Sequence, residues 1–226
     1  MSGIKWFAEL DSTNNEARRT LEALDNFSVL ATESQTAGRG QGLHTWYATP
    51  GRNLTFTAVL KPRGLDARDA ILLTQITTVS LVKYLELYGV LARIKWPNDI
   101  WVGDKKICGI LIENVLDGQF VKASIIGIGL NINEEGWPSE LPNPVSLKEL
   151  TGKEYDIHKE LETFYKIFCR HAEMIYGENG RKLLQEEFGK RVFRLPEALW
   201  SRPRGLPHQG PRFLPRPHPH PPRRGL

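Results

Sequence analysis

The sequence predicts an α+β fold, a largely antiparallel mixed sheet packed by helices, and three observations carry that reading. Between Leu91 and Asn133 short apolar runs succeed one another across tight turn signals, Gly103-Asp104 and Asp117-Gly118, as in an antiparallel meander. Two long segments, from Arg68 to Tyr88 and after Asp156, carry apolar residues at helical spacing. The strands of the meander follow one another too closely for the crossovers that parallel pairing requires.

The elements follow in chain order. Residues 4–10 read as a strand. Thr13-Asn14-Asn15-Glu16 has the spacing of a capping box, and Ala17, Leu21 and Leu24 then fall on one face of the helix it would start. Val29–Thr32 reads as a strand running into a glycine-rich loop, Thr36 to Gly42. Asn53 to Leu60 alternates apolar and polar residues, which predicts a half-buried strand. Ile71, Leu72, Ile76, Val79, Val82 and Leu85 give the 68–88 helix a broad apolar stripe, and Gly89 is its stop. The meander divides into 91–96, 100–102, 106–114 and 119–130. Ile157, Leu161, Phe164, Phe168, Ala172 and Ile175 share a helical face after Asp156, and a shorter helix covers 178–188. The helices are expected on one face of the sheet.

Composition narrows the function. With 226 residues, 40% hydrophobic and 25% charged, the chain suits one globular domain with an appendage. No stretch has the apolar length of a membrane span, and Met1 to Trp6 lacks a signal-peptide core, so the cytoplasm is the expected location. Cys108 and Cys169 have neither disulfide-framework nor metal spacing and read as reduced thiols. The net charge of +4 conceals a division: residues 191–226 hold eight Arg and one Glu, a local +7 that leaves residues 1–190 at −3. The body therefore lacks the basic bias of a nucleic-acid surface, and no specific DNA binding is expected. The last 36 residues also hold nine of the fifteen prolines and read as a disordered Pro/Arg/His tail behind a domain of residues 1–190.

Four segments carry candidate chemistry. Gly38, Gly40 and Gly42 leave backbone N–H groups free to form an anion nest, with Arg39 as a cationic fork; the same loop also reads as a plain connection between strands. Lys95-Trp96-Pro97-Asn98-Asp99 groups a lysine, an amide and a carboxylate at a strand end, or is a β-turn. Lys105-Lys106 stands at the mouth of the apolar strand through Gly109 to Glu113, or solvates a hairpin. Gly127 and Gly129 share a strand face and suit a floor beneath a flat ligand.

Taken in order, Ser12-Thr13-Asn14, Gln35-Thr36-Ala37-Gly38-Arg39-Gly40 with Trp46, Lys95 to Asp99, Lys106 to Glu113, and Gly127 to Asn131 resemble the catalytic domain of biotin protein ligases over about residues 4–190. The resemblance implies a fold related to lipoate ligases and class II aminoacyl-tRNA synthetases. It implies two steps: biotin and ATP give biotinyl-5′-AMP and pyrophosphate, then biotin passes to a lysine of a biotin carboxyl carrier domain. The implied catalytic residues are Lys106, Arg39 and Asp99. Implied biotin contacts are Ser12, Thr13, Asn14, Gln35, Gly38, Arg39, Gly40, Gln41, Lys106 and Gly109; implied ATP or adenylate contacts are Arg39, Trp46, Lys95, Asn98, Lys106 and Asn131. Mg²⁺ would accompany the triphosphate, with no protein ligands assigned. The resemblance leaves open a homodimer and implies no membrane partner.

The sequence departs from the pattern in three places. Many members continue Gly-Arg-Gly with Arg-x-Gly-Arg, where this chain has Gln41 and His44 in place of two cations. The helix-turn-helix of bifunctional members is not expected, and residues 191–226 lack the alternation of the small terminal β-barrel. The rival readings are a lipoate or octanoate ligase or transferase and a non-catalytic biotin- or nucleotide-binding protein.

Overall fold

The computed structural model describes residues 3–42 and 44–193. Its strands are β1 (Ile4–Leu10), β2 (Val29–Gln35), β3 (Leu54–Leu60), β4 (Arg93–Lys95), β5 (Asp99–Val102), β6 (Lys105–Asp117), β7 (Phe120–Leu130) and β8 (Val192–Phe193). The helices are α1 (Thr13–Arg19), α2 (Ile71–Glu86), α3 (Leu147–Thr151), α4 (Ile157–Glu173) and α5 (Glu178–Arg191). The strands form one sheet in the order β1-β2-β3-β7-β6-β5-β4-β8. Pairing is antiparallel except for the two edges, β1 with β2 and β4 with β8. Residues 191–193, expected to begin the tail, complete α5 and form β8; the rest of that expectation, with the terminal barrel, lies outside the described residues.

The pleat sorts the side chains onto two faces. Phe56, Ala58 and Leu60 of β3 and Ile126, Ile128 and Leu130 of β7 pack beneath α2, α4 and α5 in the main core. Their intervening neighbours Val59, Ala123 and Ile125 meet Ala17 and Leu21 in a second, smaller cluster. Helices therefore cover both faces, which corrects the one-sided packing expected from sequence. For the same reason β3 is not half-buried: all seven of its residues are buried between β2 and β7 with α1 above. Thr57 serves as a buried hydrogen-bonding position and Thr55 is buried beside it, so their polarity misreported their exposure.

The start of α1 also differs. Thr13 is its first helical residue and Ser12 makes no side-chain cap, so the expected capping box is absent. The Thr13 hydroxyl is engaged instead by Thr57 and Gln35, and Glu16 pairs with Arg19 at 2.7 Å. The helix ends at Arg19, a short turn carries Leu21, and Leu24 is only partly buried. A capping box does form at α3, where Ser146 and Glu149 satisfy each other's backbone N–H and Gly152 closes the helix at φ 71°. On the main face Phe164 anchors an aromatic cluster with Phe56 and Phe168 at 5.4 and 5.8 Å between centroids. Beside it Glu160, 8% exposed, accepts hydrogen bonds from Tyr84 (2.6 Å) and Tyr88.

Candidate active site

The cleft occupies the part of the α1 face that α1 leaves open, and a graded row of β7 side chains makes the room. Ala123 and Ile125 lie under α1; the next two positions on that face are Gly127 and Gly129. A Cβ on Gly127 would fall 2.3 Å from Asn14 Oδ1, and one on Gly129 would fall 2.1 Å from the Trp46 ring. Gly109, opposite Gly129 in β6, likewise has Trp46 at 2.8 Å from a Cβ position. Three glycines thus form the expected floor, and side chains from two other elements lie directly on it.

A one-residue bulge in β6 puts the lysine on this face. Ile100 opposes Cys108 but Trp101 opposes Lys106, so Ile107 is the extra residue. Ile107 and Cys108 both turn into the main core, fully buried. Lys106 thereby shares the cleft face with Gly109, where uninterrupted alternation would turn it to the core. Lys106 Nζ meets Asp99 Oδ1 at 2.7 Å, and Lys95, opposite Asp99 on β4, lies over the Trp101 ring at 4.0 Å. Burial pushes the Cys108 thiol well above the ordinary thiol range, so it is no nucleophile.

A polar chain runs along the inner side. Gln35 Oε1 accepts from the Thr13 N–H at 2.8 Å; Thr57 contacts the Thr13 hydroxyl at 2.8 Å and Asn14 Oδ1 at 2.6 Å. Asn14 donates to Glu113 at 2.9 Å, and Arg39 reaches the same carboxylate at 3.2 Å and Asn15 at 3.0 Å. Burial alone would raise the Glu113 carboxyl, but donors from Asn14 and Arg39 outweigh it and hold it below the usual range.

The glycine-rich loop is a small hairpin. Gly40 N–H donates to His44 O at 2.7 Å and Trp46 N–H to Gly38 O at 3.1 Å. The Gly40 N–H is therefore occupied, which removes one donor from the anion nest expected from sequence. Gly38 lines neither compartment of the cleft; a Cβ there would fall 2.6 Å from Trp46 O, so its smallness closes the hairpin. The hairpin delivers Trp46 to the floor, where Lys106 Nζ sits 5.8 Å from its ring centre.

Two compartments result, sharing Gly40, Gln41, Trp46, Asn98 and Lys106. The inner one holds Ser12, Thr13, Asn14, Gln35, Arg39 and Gly109; the outer one holds Lys95, Asp99 and Asn131. Every predicted site residue except Gly38 therefore lines the cleft. Asn98 is also structural, exchanging backbone and side-chain bonds with Ile110 around a turn that contains the cis Trp96–Pro97 peptide. Asn131 donates to Val145 O at 3.0 Å and leaves its buried Oδ1 without a partner. Sequence reasoning missed Thr55, Thr57, Trp101, Trp137 and the Leu141–Pro144 wall. Thr55 and Thr57 carried a usable signal, two hydroxyls on one face of a central strand; the wall carried none.

Comparison with known proteins accords with this geometry. Residues 6–131 match the model of the biotin/lipoate A/B protein ligase family. The chain is 32% identical to the bifunctional ligase/repressor BirA of Bacillus subtilis over 169 residues, 71% of this chain and 51% of that protein. It is 35% identical to the biotin–[acetyl-CoA-carboxylase] ligase of Paracoccus denitrificans, covering 86% of this chain and 83% of that one. The chain thus spans about half the length of the bifunctional relatives. The biotin protein ligase of Aquifex aeolicus, solved with biotin and ATP, superposes with a TM-score of 0.74 at 26% identity, covering 86% of this chain and 80% of that one. With a family model matching more than half of its residues, every predicted site residue among them, the chain belongs to the biotin/lipoate A/B protein ligase family.

Proposed function

We propose that this chain is an ATP-dependent biotin protein ligase that acts on a lysine of a biotin carboxyl carrier domain. One observation carries the reading: Lys106 stands where the two compartments meet. In the first step a biotin carboxylate oxygen bonds to the α-phosphorus of ATP, the bond to the bridging oxygen breaks, and pyrophosphate leaves. Two anions must approach, and a cation between their seats offsets the developing charge. In the second step the acceptor amine attacks the acyl carbon, AMP leaves with the bonding pair, and the amine gives up a proton. Asp99, beside Lys106 and open to the outer compartment, is the residue to orient that amine.

The inner compartment's hydroxyls and amides at Ser12, Thr13 and Gln35 suit a polar ring system on a flat glycine floor, which favours biotin over lipoate. Asn131 Oδ1, buried and unpaired, suits an amino group on a base. Among the described residues no group of three or more His, Cys, Asp and Glu is placed to hold an ion. Mg²⁺ would accompany the triphosphate, where it neutralises phosphate charge. Among the described residues no helix is long and apolar enough to cross a membrane, and we place the reaction in the cytoplasm.

The test is biotin-dependent exchange of labelled pyrophosphate into ATP, with lipoate in parallel. Exchange with biotin alone is expected. Exchange with lipoate alone would move the chain to the lipoate branch, and binding of biotin without exchange would make it a binding protein.

A further inference from the structure

We propose that Glu134 is a positioning residue for the nucleotide, acting as a buried staple that sets the spacing of the two walls of the outer compartment. The inference rests on reading that compartment as the nucleotide's seat. One wall is the return arm of the loop hairpin, with Trp46 and Tyr47; the other is the segment with Trp137, Leu141 and Pro144. Both spring from one point. Glu134 is 2% exposed, and its carboxylate accepts from Thr49 N–H at 2.9 Å, Thr49 Oγ1 at 2.8 Å and Asn53 Nδ2 at 2.6 Å. Thr49 lies three residues beyond Trp46, and Glu134 lies three residues before Trp137.

The other ties between these segments run from Asn53 to Ile132 and from Arg52 to Asn133 and Glu135. Asn53 Oδ1 accepts from Ile132 N–H at 2.9 Å, and Asn133 N–H donates to Arg52 O at 2.9 Å. They keep the roots of the walls together without fixing Thr49. A carboxylate suits the place because all three groups aimed at it are donors, and a charged acceptor binds them more strongly than a neutral one. A glutamine of the same shape must turn its amide N–H to the Thr49 hydroxyl, and its neutral oxygen then holds the Thr49 N–H and Asn53 Nδ2 more weakly than the carboxylate does. Glu134 does not line the inner compartment of Ser12, Thr13 and Gln35. Of the two walls, Tyr47, Trp137, Leu141 and Pro144 line the outer compartment alone and only Trp46 is shared, so the nucleotide senses the staple more than the acid does.

The experiment uses the full chain with Glu134→Gln and Thr49→Val. KM for ATP and for biotin are read in pyrophosphate exchange, and the ATP dissociation constant is read separately by equilibrium dialysis. In Glu134→Gln, KM and Kd for ATP rise about tenfold while KM for biotin stays within about twofold, in line with the sensitivity of binding sites to small misplacements. Thr49→Val, which removes one donor and keeps the Asn53 contact, moves the same constants less. Equal rises for both substrates, or no change in either, overturns the inference; should Glu134→Gln not fold, the same criteria applied to Thr49→Val decide. A wild-type protein that lacks exchange sinks the reading of function instead, and dialysis still decides the role of Glu134.

Discussion

Gly129→Ala places one methyl group where the geometry leaves no room for it. The Cβ would lie 2.1 Å from Trp46 Cε2 and 2.5 Å from Cζ2 and Nε1, whereas carbon contacts settle near about 3.5–4.0 Å. Gly129 lies within β7 and alanine is tolerated in a strand, so the backbone adds no strain of its own. The indole must withdraw by about 1.5 Å or leave the floor. Trp46 is half-buried; losing about half of an aromatic side chain's roughly 200 Å², at about 25 cal/mol per Å², costs up to about 2.5 kcal/mol. For a domain of this size that lowers Tm by up to about 5–10 °C. Gly129 and Trp46 both line the inner compartment, so the methyl and the displaced indole reshape the acid's seat and biotin affinity falls at least about tenfold. The assay pairs calorimetric titration of biotin with tryptophan emission, taking Trp46→Phe as the blank that isolates Trp46. A folded Gly129→Ala protein with unchanged Trp46 emission and unchanged biotin affinity would refute the floor.

Lys106→Ala slows pyrophosphate exchange about 10²- to 10³-fold, the usual loss when one charge-stabilising donor is removed, and circular dichroism shows the fold intact because the side chain is partly exposed. Asp99→Asn depresses biotin transfer to the carrier lysine more than it depresses exchange; equal losses in single-turnover assays of the two half-reactions would remove its assignment to the second. Hydrogen bonding from Lys190, reinforced by Lys83 and Arg191 against the opposing effect of burial, holds the Glu187 carboxyl at about 2. Its folded value lies below its ordinary value of 4.5, so the stability it contributes is present above that value and is lost as pH falls from about 4.5 towards 2. Urea midpoints for Glu187→Gln, measured across that window, should vary less with pH than those of the parent.

The long elements were legible because their periodicity was strong. β1, α2, β6, β7 and α4 lie within a few residues of where apolar spacing and turn glycines place them. The errors share one cause, polar residues whose partners are distant in sequence. Thr13 matches a cap by spacing, yet its hydroxyl is taken by Thr57, 44 residues away. Thr55 and Thr57 make β3 look half-wet when both are buried, Thr57 in a polar network and Thr55 at the wall of the inner compartment. The genuine capping box at Ser146 and Glu149 went unread because α3 is only five residues long and shows no apolar period. In the site, motif residues were legible and backbone consequences were not. Nothing in Gly38-Arg39-Gly40 says that the Gly40 N–H and the Gly38 carbonyl close a hairpin, and nothing in the 137–144 segment says that it forms a wall.

The β6 bulge has a consequence for how such a chain tolerates change. Ile107 is, by composition, an unremarkable core residue and an isoleucine among isoleucines. It stands outside the ladder, so deleting it would restore plain alternation and leave Lys106 on the cleft face. The harmful change is the opposite one: a residue added to β5 before Trp101 would draw Ile107 into the ladder and turn Lys106 to the core, with a charge it cannot solvate there. The cleft is thus exposed to a one-residue slip in an apolar strand, and a shift of register there is a change of chemistry.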